Sequence, residues 1–152
     1  MNPRPVSVGP KATLLEALLL MRTNDVQGLP VVDVAGNVVG VVSQKDLARR
    51  LSVPVDLPDV KGLLDILMVG LGDQPEAALR RLRTAVESTI VEETMSSPPF
   101  VVRSDAPLEL AMHVMAENQI NRLPVVDGRR LVGIVTPTDL IGAALRSPRK
   151  AA

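Results

Sequence analysis

Near the start of the chain, one stretch of apolar residues has the spacing of an amphipathic helix, and the stretches on either side have that of short strands. The helical stretch has apolar residues at positions i, i+3, i+4 and i+7, namely Leu14, Ala17, Leu18 and Met21. Thr13, with Glu16 three residues after it, forms a capping-box pattern for a helix start. The pattern therefore predicts a helix that buries one face.

Valine-rich runs on either side of this helix predict strands. Val6 and Val8 form a short alternating run, and further runs at 31–32 and 38–42 surround a polar turn over 33–37. Leu29-Pro30 ends the helix, because proline cannot extend one. A second helix is predicted from Lys45 to Leu51, so the predicted order of elements is βαββα.

The same pattern occurs twice in the chain. The sequence Leu29-Pro30-Val31-Val32-Asp33 recurs unchanged at 123–127, an offset of 94 residues. Residues 5–33 and 99–127 are identical at 12 of 29 positions, and a one-residue deletion then aligns 40–47 with 133–140. This repeat predicts a first unit over 1–51, a helical insert over 52–90, a second unit over 91–146 and a disordered tail over 147–152.

The second repeat predicts the same elements with local differences. Its first strand covers Phe100 to Val102, Asp105 and Pro107 supply the helix start, and Asp127-Gly128 supplies a tight hairpin turn. Its helical stripe consists of Leu108, Ala111, Met112 and Met115, and its last helix runs from Thr138 to Leu145. One unit buries too little apolar surface alone, so we expect an α+β (layered α/β) fold in which the copies pack with pseudo-twofold symmetry.

The insert is predicted to be helical. Apolar residues over 60–71 lie near one helical face, and Asp73-Gln74-Pro75-Glu76 is a helix-start pattern that leads into a second stripe ending at Val86. Arg80, Arg81 and Arg83 lie around the other side. They form either a solvated basic face or a surface that attracts an anionic partner.

Composition narrows the classes of function. The 152 residues contain 17 Lys and Arg, 17 Asp and Glu, no Cys, one His (His113) and one aromatic residue (Phe100). A single His without Cys favours neither a metal site nor a nucleophile–base pair, so we expect no enzyme and no metal. Neutral net charge argues against a nucleic-acid partner. No apolar run has the length of a membrane span, and we expect a cytoplasmic protein.

The pattern Gly-x-x-Ser/Thr-x-x-Asp occurs where a strand runs into a helix in both copies. It consists of Gly40, Ser43 and Asp46 in the first copy, and of Gly133, Thr136 and Asp139 in the second. A hydroxyl followed three residues later by an acid is a capping box, which needs no ligand. The same groups at a helix N-terminus also suit a phosphate and a ribose diol. Both interpretations stay open on the residues alone.

Leu-Pro-Val-Val-Asp followed by Gly-h-h-Ser/Thr-x-x-Asp-Leu (h, apolar), twice in one chain, resembles a tandem pair of CBS domains. The resemblance covers about 3–51 and 91–145. It implies a module that binds an adenosine-type ligand, such as AMP, ADP or ATP, in the cleft between the two domains. It also implies a homodimer.

The resemblance assigns ligand-binding positions residue by residue. Ser43 and Thr136 match the phosphate-contacting hydroxyl, Asp46 and Asp139 match the ribose-binding carboxylate, and Arg122 matches a basic position facing phosphate, where the first copy has Gly28. The positions around the base are Gln27, Leu29, Pro30, Val6 and Val8 in the first copy, and Asn121, Leu123, Pro124, Phe100 and Val102 in the second. Gly28 favours the second copy as the phosphate site.

The predicted function is a non-catalytic regulatory, energy-sensing module that signals through conformational change to a separate regulated protein. It requires no cofactor beyond an adenine nucleotide as ligand. The alternative is a ligand-free dimerisation or protein-interaction domain whose Ser/Thr-x-x-Asp motifs are only helix caps.

Overall fold

The computed structural model describes residues 5–51 and 76–146. The helices are α1 (Leu14–Thr23), α2 (Gln44–Arg50), α3 (Glu76–Ser88), α4 (Leu108–Asn118) and α5 (Pro137–Arg146). The strands are β1 (Gly28–Val32), β2 (Val38–Ser43), β3 (Val102–Arg103), β4 (Leu123–Asp127) and β5 (Arg130–Val135), and a short 3-10 turn covers Val91–Glu93. These mixed helices and small sheets confirm the predicted α+β class.

The described chain divides into two compact units. One unit holds residues 6–34, 39–51 and 76–98, and the other holds residues 5, 35–38 and 99–146. The insert helix α3 therefore belongs to the unit of the first copy, and the hairpin turn over 35–38 belongs to the unit of the second. The predicted helix over 60–71 and the predicted disordered tail lie outside the described residues. The predicted packing of the copies stays a prediction.

The apolar stripe of α1 is the centre of the first unit. All four predicted positions, Leu14, Ala17, Leu18 and Met21, are 0% exposed. Val86 of α3 joins the same core. The predicted capping box is confirmed, because the N–H of Glu16 donates to Thr13 Oγ1 at 3.2 Å and the N–H of Thr13 donates to Glu16 Oε2 at 2.9 Å.

The predicted first strand at Val6 and Val8 is wrong in extent. Only Val8 pairs, through a single parallel bridge to Val31, and its N–H donates to the carbonyl of Pro30 at 3.0 Å. Gly9-Pro10 follows at once, and Pro10 has no N–H with which to continue a ladder. In the second copy the strand begins at Val102 and leaves out Phe100, which follows Pro98-Pro99.

The second unit contains a three-stranded sheet in the order β3-β4-β5. Strand β3 runs parallel to β4 with Val102 opposite Val125, and β5 runs antiparallel to β4 with Leu123 opposite Val135. The predicted tight hairpin is confirmed, since β4 ends at Asp127 and Gly128 has a φ of 63°. The turn of the first copy extends this sheet, because the N–H of Leu131 donates to the carbonyl of Gly36 at 3.0 Å.

Two features of α4 differ from prediction. Its N-cap residue is Pro107, which makes no side-chain cap, and Asp105 bonds instead to Arg103 Nη2 at 3.1 Å. Asp105 lies too early in the chain to reach the first turn. Met112 is 45% exposed although the equivalent Leu18 is fully buried. In the first unit α3 packs against α1, whereas α4 packs against α5.

A segment that follows the insert covers the edge of β2. The N–H of Ser96 donates to the carbonyl of Val41 at 2.9 Å, and the N–H of Val41 donates to the carbonyl of Ser96 at 3.1 Å. Met95 lies over Gly40, where an added Cβ would stand 2.5 Å from the Met95 sulfur and 3.0 Å from the Ser96 carbonyl oxygen. Gly40 therefore has a packing role three residues before Ser43.

We predict that Gly40→Ala lowers the free energy of unfolding by about 1–2 kcal/mol, because Met95 and the paired strand segment must both shift. Urea denaturation of the two proteins measures the difference. Gly9→Ala is the matched control, since nothing lies within 4 Å of a Cβ at that position. Equal stability of Gly40→Ala and the unchanged protein would contradict the packing role.

Candidate ligand-binding site

The repeated Ser/Thr-x-x-Asp motif forms a capping box in the first copy. The N–H of Ser43 donates to Asp46 Oδ2 at 2.8 Å, Ser43 Oγ donates to the same oxygen at 2.9 Å, and the N–H of Asp46 donates to Ser43 Oγ at 3.2 Å. Both side chains are half-buried. Asp46 Oδ1 takes no part in these bonds.

The second copy repeats this geometry. The N–H of Thr136 and Thr136 Oγ1 both donate to Asp139 Oδ2 at 3.0 Å, and the N–H of Asp139 donates to Thr136 Oγ1 at 3.3 Å. Asp139 Oδ1 is left for another donor, as in the first copy. The structural part of the motif is therefore the same in both places, and any difference in binding must come from its surroundings.

Few backbone donors remain at these helix starts. In the first copy the N–H of Gln44 donates to the carbonyl of Gln27 at 2.9 Å, and the N–H of Asp46 is used in the cap. This leaves the N–H of Lys45 as the donor for a ligand. In the second copy Pro137 has no N–H, and Thr138 supplies the equivalent donor. These two backbone groups are not among the residues predicted from the motif, because spacing does not show which donors a cap consumes.

Arg122 lies beside the second motif. It directly precedes β4 and Thr136 directly follows β5, and because Leu123 is opposite Val135 these two residues are neighbours across the ladder. Arg122 is half-buried, and desolvation lowers the pKa of its guanidinium, which nevertheless stays charged at neutral pH. Among the described residues it makes no ion pair. A half-buried cation without a carboxylate is suited to an anion.

Some of the residues predicted to surround the base are buried near one another, and others are exposed. In the first copy Val8 and Leu29 are buried in one core and Val6 is half-buried against it. Pro30 is also buried, whereas Gln27 is exposed. In the second copy Leu123, Pro124 and Val102 are buried, and Asn121 is exposed. Phe100 lies before β3 and is 52% exposed. The buried members form apolar support beside each motif, and Phe100 stands apart from the strand pairing.

Neither a cluster of metal ligands nor a membrane-spanning helix is found in the described part of the chain. Over 5–51 and 76–146, His, Asp and Glu form no group of three or more that could hold a metal ion. The helices of the same ranges are all too short or too polar to cross a bilayer.

The model of the CBS domain family matches residues 1–53 and 90–146, which is more than half of the chain. The chain therefore belongs to the CBS domain family. An uncharacterised protein of Methanocaldococcus jannaschii is 31% identical over 149 residues, which cover 93% of this chain and 87% of that protein. The chloroplastic CBS domain-containing protein CBSX2 of Arabidopsis thaliana is 32% identical, and the match covers 94% of this chain but 60% of the relative.

Solved structures agree with this assignment. The CBS-pair protein CBSX2 from Arabidopsis thaliana has a TM-score of 0.71 at 31% identity, over 99% of this chain and 94% of that chain. A structure of CBSX2 in complex with AMP has a TM-score of 0.68 at 32% identity, over 96% and 92% of the two chains. The resemblance that the repeated motifs carried is thus confirmed at the level of family and fold.

We predict that Ser43→Ala and Thr136→Ala each lower the free energy of unfolding by about 1 kcal/mol, because each removes an N-cap acceptor. Thermal or urea unfolding without nucleotide measures the loss. Thr84→Ala is the control, since the Thr84 hydroxyl bonds only to the carbonyl of Arg80 on the exposed face of α3. Loss in only one of the two cap variants would show that the two caps are not equivalent.

Proposed function

We propose that this protein is a non-catalytic regulatory module that binds an adenosine-type ligand (AMP, ADP or ATP) and signals through a conformational change. The AMP-bound structure of CBSX2 supports this proposal, because that relative shares the fold at 32% identity. We place the phosphate at Thr136 and Arg122, and the ribose hydroxyls at Asp139 Oδ1. Leu123, Pro124 and Val102 support the base.

The guanidinium of Arg122, which makes no ion pair with any residue that the structure describes, is the observation that carries the proposal. A capping box explains Thr136 and Asp139 completely, so those residues alone do not require a ligand. No such structural role accounts for Arg122, whose burial costs free energy that a carboxylate would normally offset. A phosphate beside Thr136 would provide the missing negative charge.

The second copy is the better phosphate site for two physical reasons. It has Arg122 where the first copy has Gly28, so the positive charge is present in one copy only. Its helix α5 spans 10 residues, whereas α2 spans seven. A helix of less than two turns aligns fewer peptide dipoles, so its N-terminus attracts an anion less strongly.

Under the cap-only alternative, Arg122 has no phosphate to bind. If the module is a ligand-free dimerisation or protein-interaction domain, the Ser/Thr-x-x-Asp motifs serve only the helices. Nucleotides then leave the melting temperature unchanged, because only a ligand that binds the native state raises apparent stability.

We predict that Arg122→Gln weakens binding of AMP by about 10- to 100-fold, because a hydrogen bond to a charged group is lost. The free energy of unfolding should stay level or rise, since the variant removes a half-buried charge. Isothermal titration of protein freed from carried-over nucleotide by unfolding and refolding measures the affinity, and urea denaturation measures the stability.

Arg129→Gln is the matched control, because it removes the same charge from the exposed hairpin turn of the second copy. It should bind AMP as the unchanged protein does. Saturable binding that Arg122→Gln leaves intact would refute the placement of the phosphate. No heat with AMP, ADP or ATP in the unchanged protein would favour the cap-only alternative.

We also propose that the module is a homodimer that contacts its copy through α4 and α5. These helices expose four large apolar residues, namely Leu110 (46%), Met112 (45%), Ile141 (58%) and Leu145 (82%). Ile141 and Leu145 are four residues apart on α5 and so share one of its faces, and exposed apolar residues on one face are typical of an interaction surface.

We predict that Leu145→Glu shifts the protein from dimer to monomer in sedimentation velocity, because a carboxylate would be desolvated at the contact. Val34→Glu is the control, since Val34 is fully exposed in the turn of the first copy. A monomeric unchanged protein, or a dimer that Leu145→Glu does not weaken, would contradict this surface. The same measurement with AMP tests whether the ligand alters the assembly or its shape.

A further inference from the structure

The equivalent helices of the two repeats carry opposite charges on their exposed surfaces. The first pair, α1 and α2, has four exposed cations and one exposed carboxylate, which are Arg22, Lys45, Arg49, Arg50 and Glu16. The second pair, α4 and α5, has two exposed carboxylates and one exposed cation, which are Glu109, Glu117 and Arg146. A chain with no net charge therefore has a basic helix pair in its first repeat and an acidic helix pair in its second.

The carboxylates of the acidic pair lie in a row on α4. Glu109, His113 and Glu117 are spaced four residues apart and are all exposed, so they share one face of the helix. The exposed side chains of Leu110 and Met112 lie on either side of this row. Neither Glu109 nor Glu117 makes an ion pair with a residue that the structure describes. The two carboxylates are therefore available within the apolar surface proposed for the dimer contact.

The cations of the basic pair have a matching arrangement. Lys45 and Arg49 are four residues apart on α2 and so share one of its faces, and Arg22 lies in the last turn of α1. Within the described ranges these three side chains make no ion pair. Leu19, one turn before Arg22, is 44% exposed. The basic pair thus combines cations with an exposed apolar side chain, as the acidic pair combines carboxylates with several.

Charge distinguishes two ways in which α4 and α5 can contact a second copy of the chain. If they met the same helices of that copy, the carboxylates of both copies would be brought together, and like charges at a contact are unfavourable. If they met α1 and α2 of that copy, Glu109 and Glu117 would lie among the four cations of the basic pair. The charges therefore favour the second arrangement.

We propose that the homodimer is antiparallel, so that the acidic pair of each protomer docks on the basic pair of its partner. This inference rests on the proposed function, because it assumes a dimer that forms through α4 and α5. A twofold axis repeats the contact, since each protomer offers one acidic and one basic pair. Complementary charge selects the orientation, and the exposed apolar side chains supply the area that is buried.

The first arm of the test measures how salt affects the unchanged protein. Sedimentation velocity at about 0.05 M and about 0.5 M NaCl should give a dimer that is about 3- to 10-fold weaker at the higher concentration, because salt screens attraction between exposed opposite charges. An affinity that salt leaves unchanged or raises would overturn the inference while leaving the dimer in place. A protein that is monomeric at both concentrations would overturn the proposed dimer, and this inference with it.

The second arm reverses one charge on each pair. Glu117→Arg and Arg49→Glu should each weaken the homodimer by about 10-fold, because each puts like charges into both contacts of the dimer. An equal mixture of the two variants should recover the affinity of the unchanged protein. In the mixed dimer one contact joins the two reversed residues, and the other joins two unchanged ones. Glu87→Arg is the matched control, since it reverses an exposed carboxylate on α3 and should leave the affinity unchanged.

The symmetric contact between α4 and α5 of both copies gives different results in the same experiment. Arg49→Glu would then have no effect, and the Glu117→Arg protein would associate best with the unchanged protein. Either result, or a mixture of the two variants that associates no better than each alone, would overturn the antiparallel arrangement. Circular dichroism of each variant checks that it is folded, and the salt dependence decides without any variant.

Discussion

A hydrogen bond between a hydroxyl and a carboxylate fixes the strand-to-helix junction that carries the candidate site in each copy. Ser43 with Asp46, and Thr136 with Asp139, begin the helices that follow β2 and β5. Each hydroxyl proton already points to a carboxylate oxygen, so a phosphate at the hydroxyl must share or displace that bond. The free carboxylate oxygen carries no such conflict. Ligand binding as proposed at these junctions would therefore exchange hydrogen bonds within a preformed cap.

The two copies keep the same cap but differ in the charged and polar groups beside it. The second copy has a cation at Arg122 and a proline at 137, whereas the first copy has Gly28 and Gln44, whose N–H donates to the carbonyl of Gln27. Under the proposed function, one copy uses the motif as a helix cap, and the other combines it with groups that suit a nucleotide.

Much of this fold could be predicted from the sequence because the repeat allowed each weak signal to be checked twice. The stripe of α1 and its cap at Thr13 were predictable from spacing alone. The exposure of Met112 was not, because it depends on which element packs on a helix and not on the helix itself. The caps of the candidate site were also predictable. The bond from the N–H of Gln44 to the carbonyl of Gln27 was not, since it follows from ladder register and not from a motif.

The strand segment over Ser96 has a consequence for the order in which the chain folds during synthesis. In the first unit, the N–H of Leu14 at the start of α1 donates to the carbonyl of Thr89, and Met95 and Ser96 cover β2. A ribosome that has released only the first repeat has therefore not yet supplied the residues that complete its core. The turn at Gly36 accepts a hydrogen bond from the N–H of Leu131, which is synthesised later still. The two copies resemble independent domains in sequence, yet the first cannot finish folding until the segment that follows the insert has emerged.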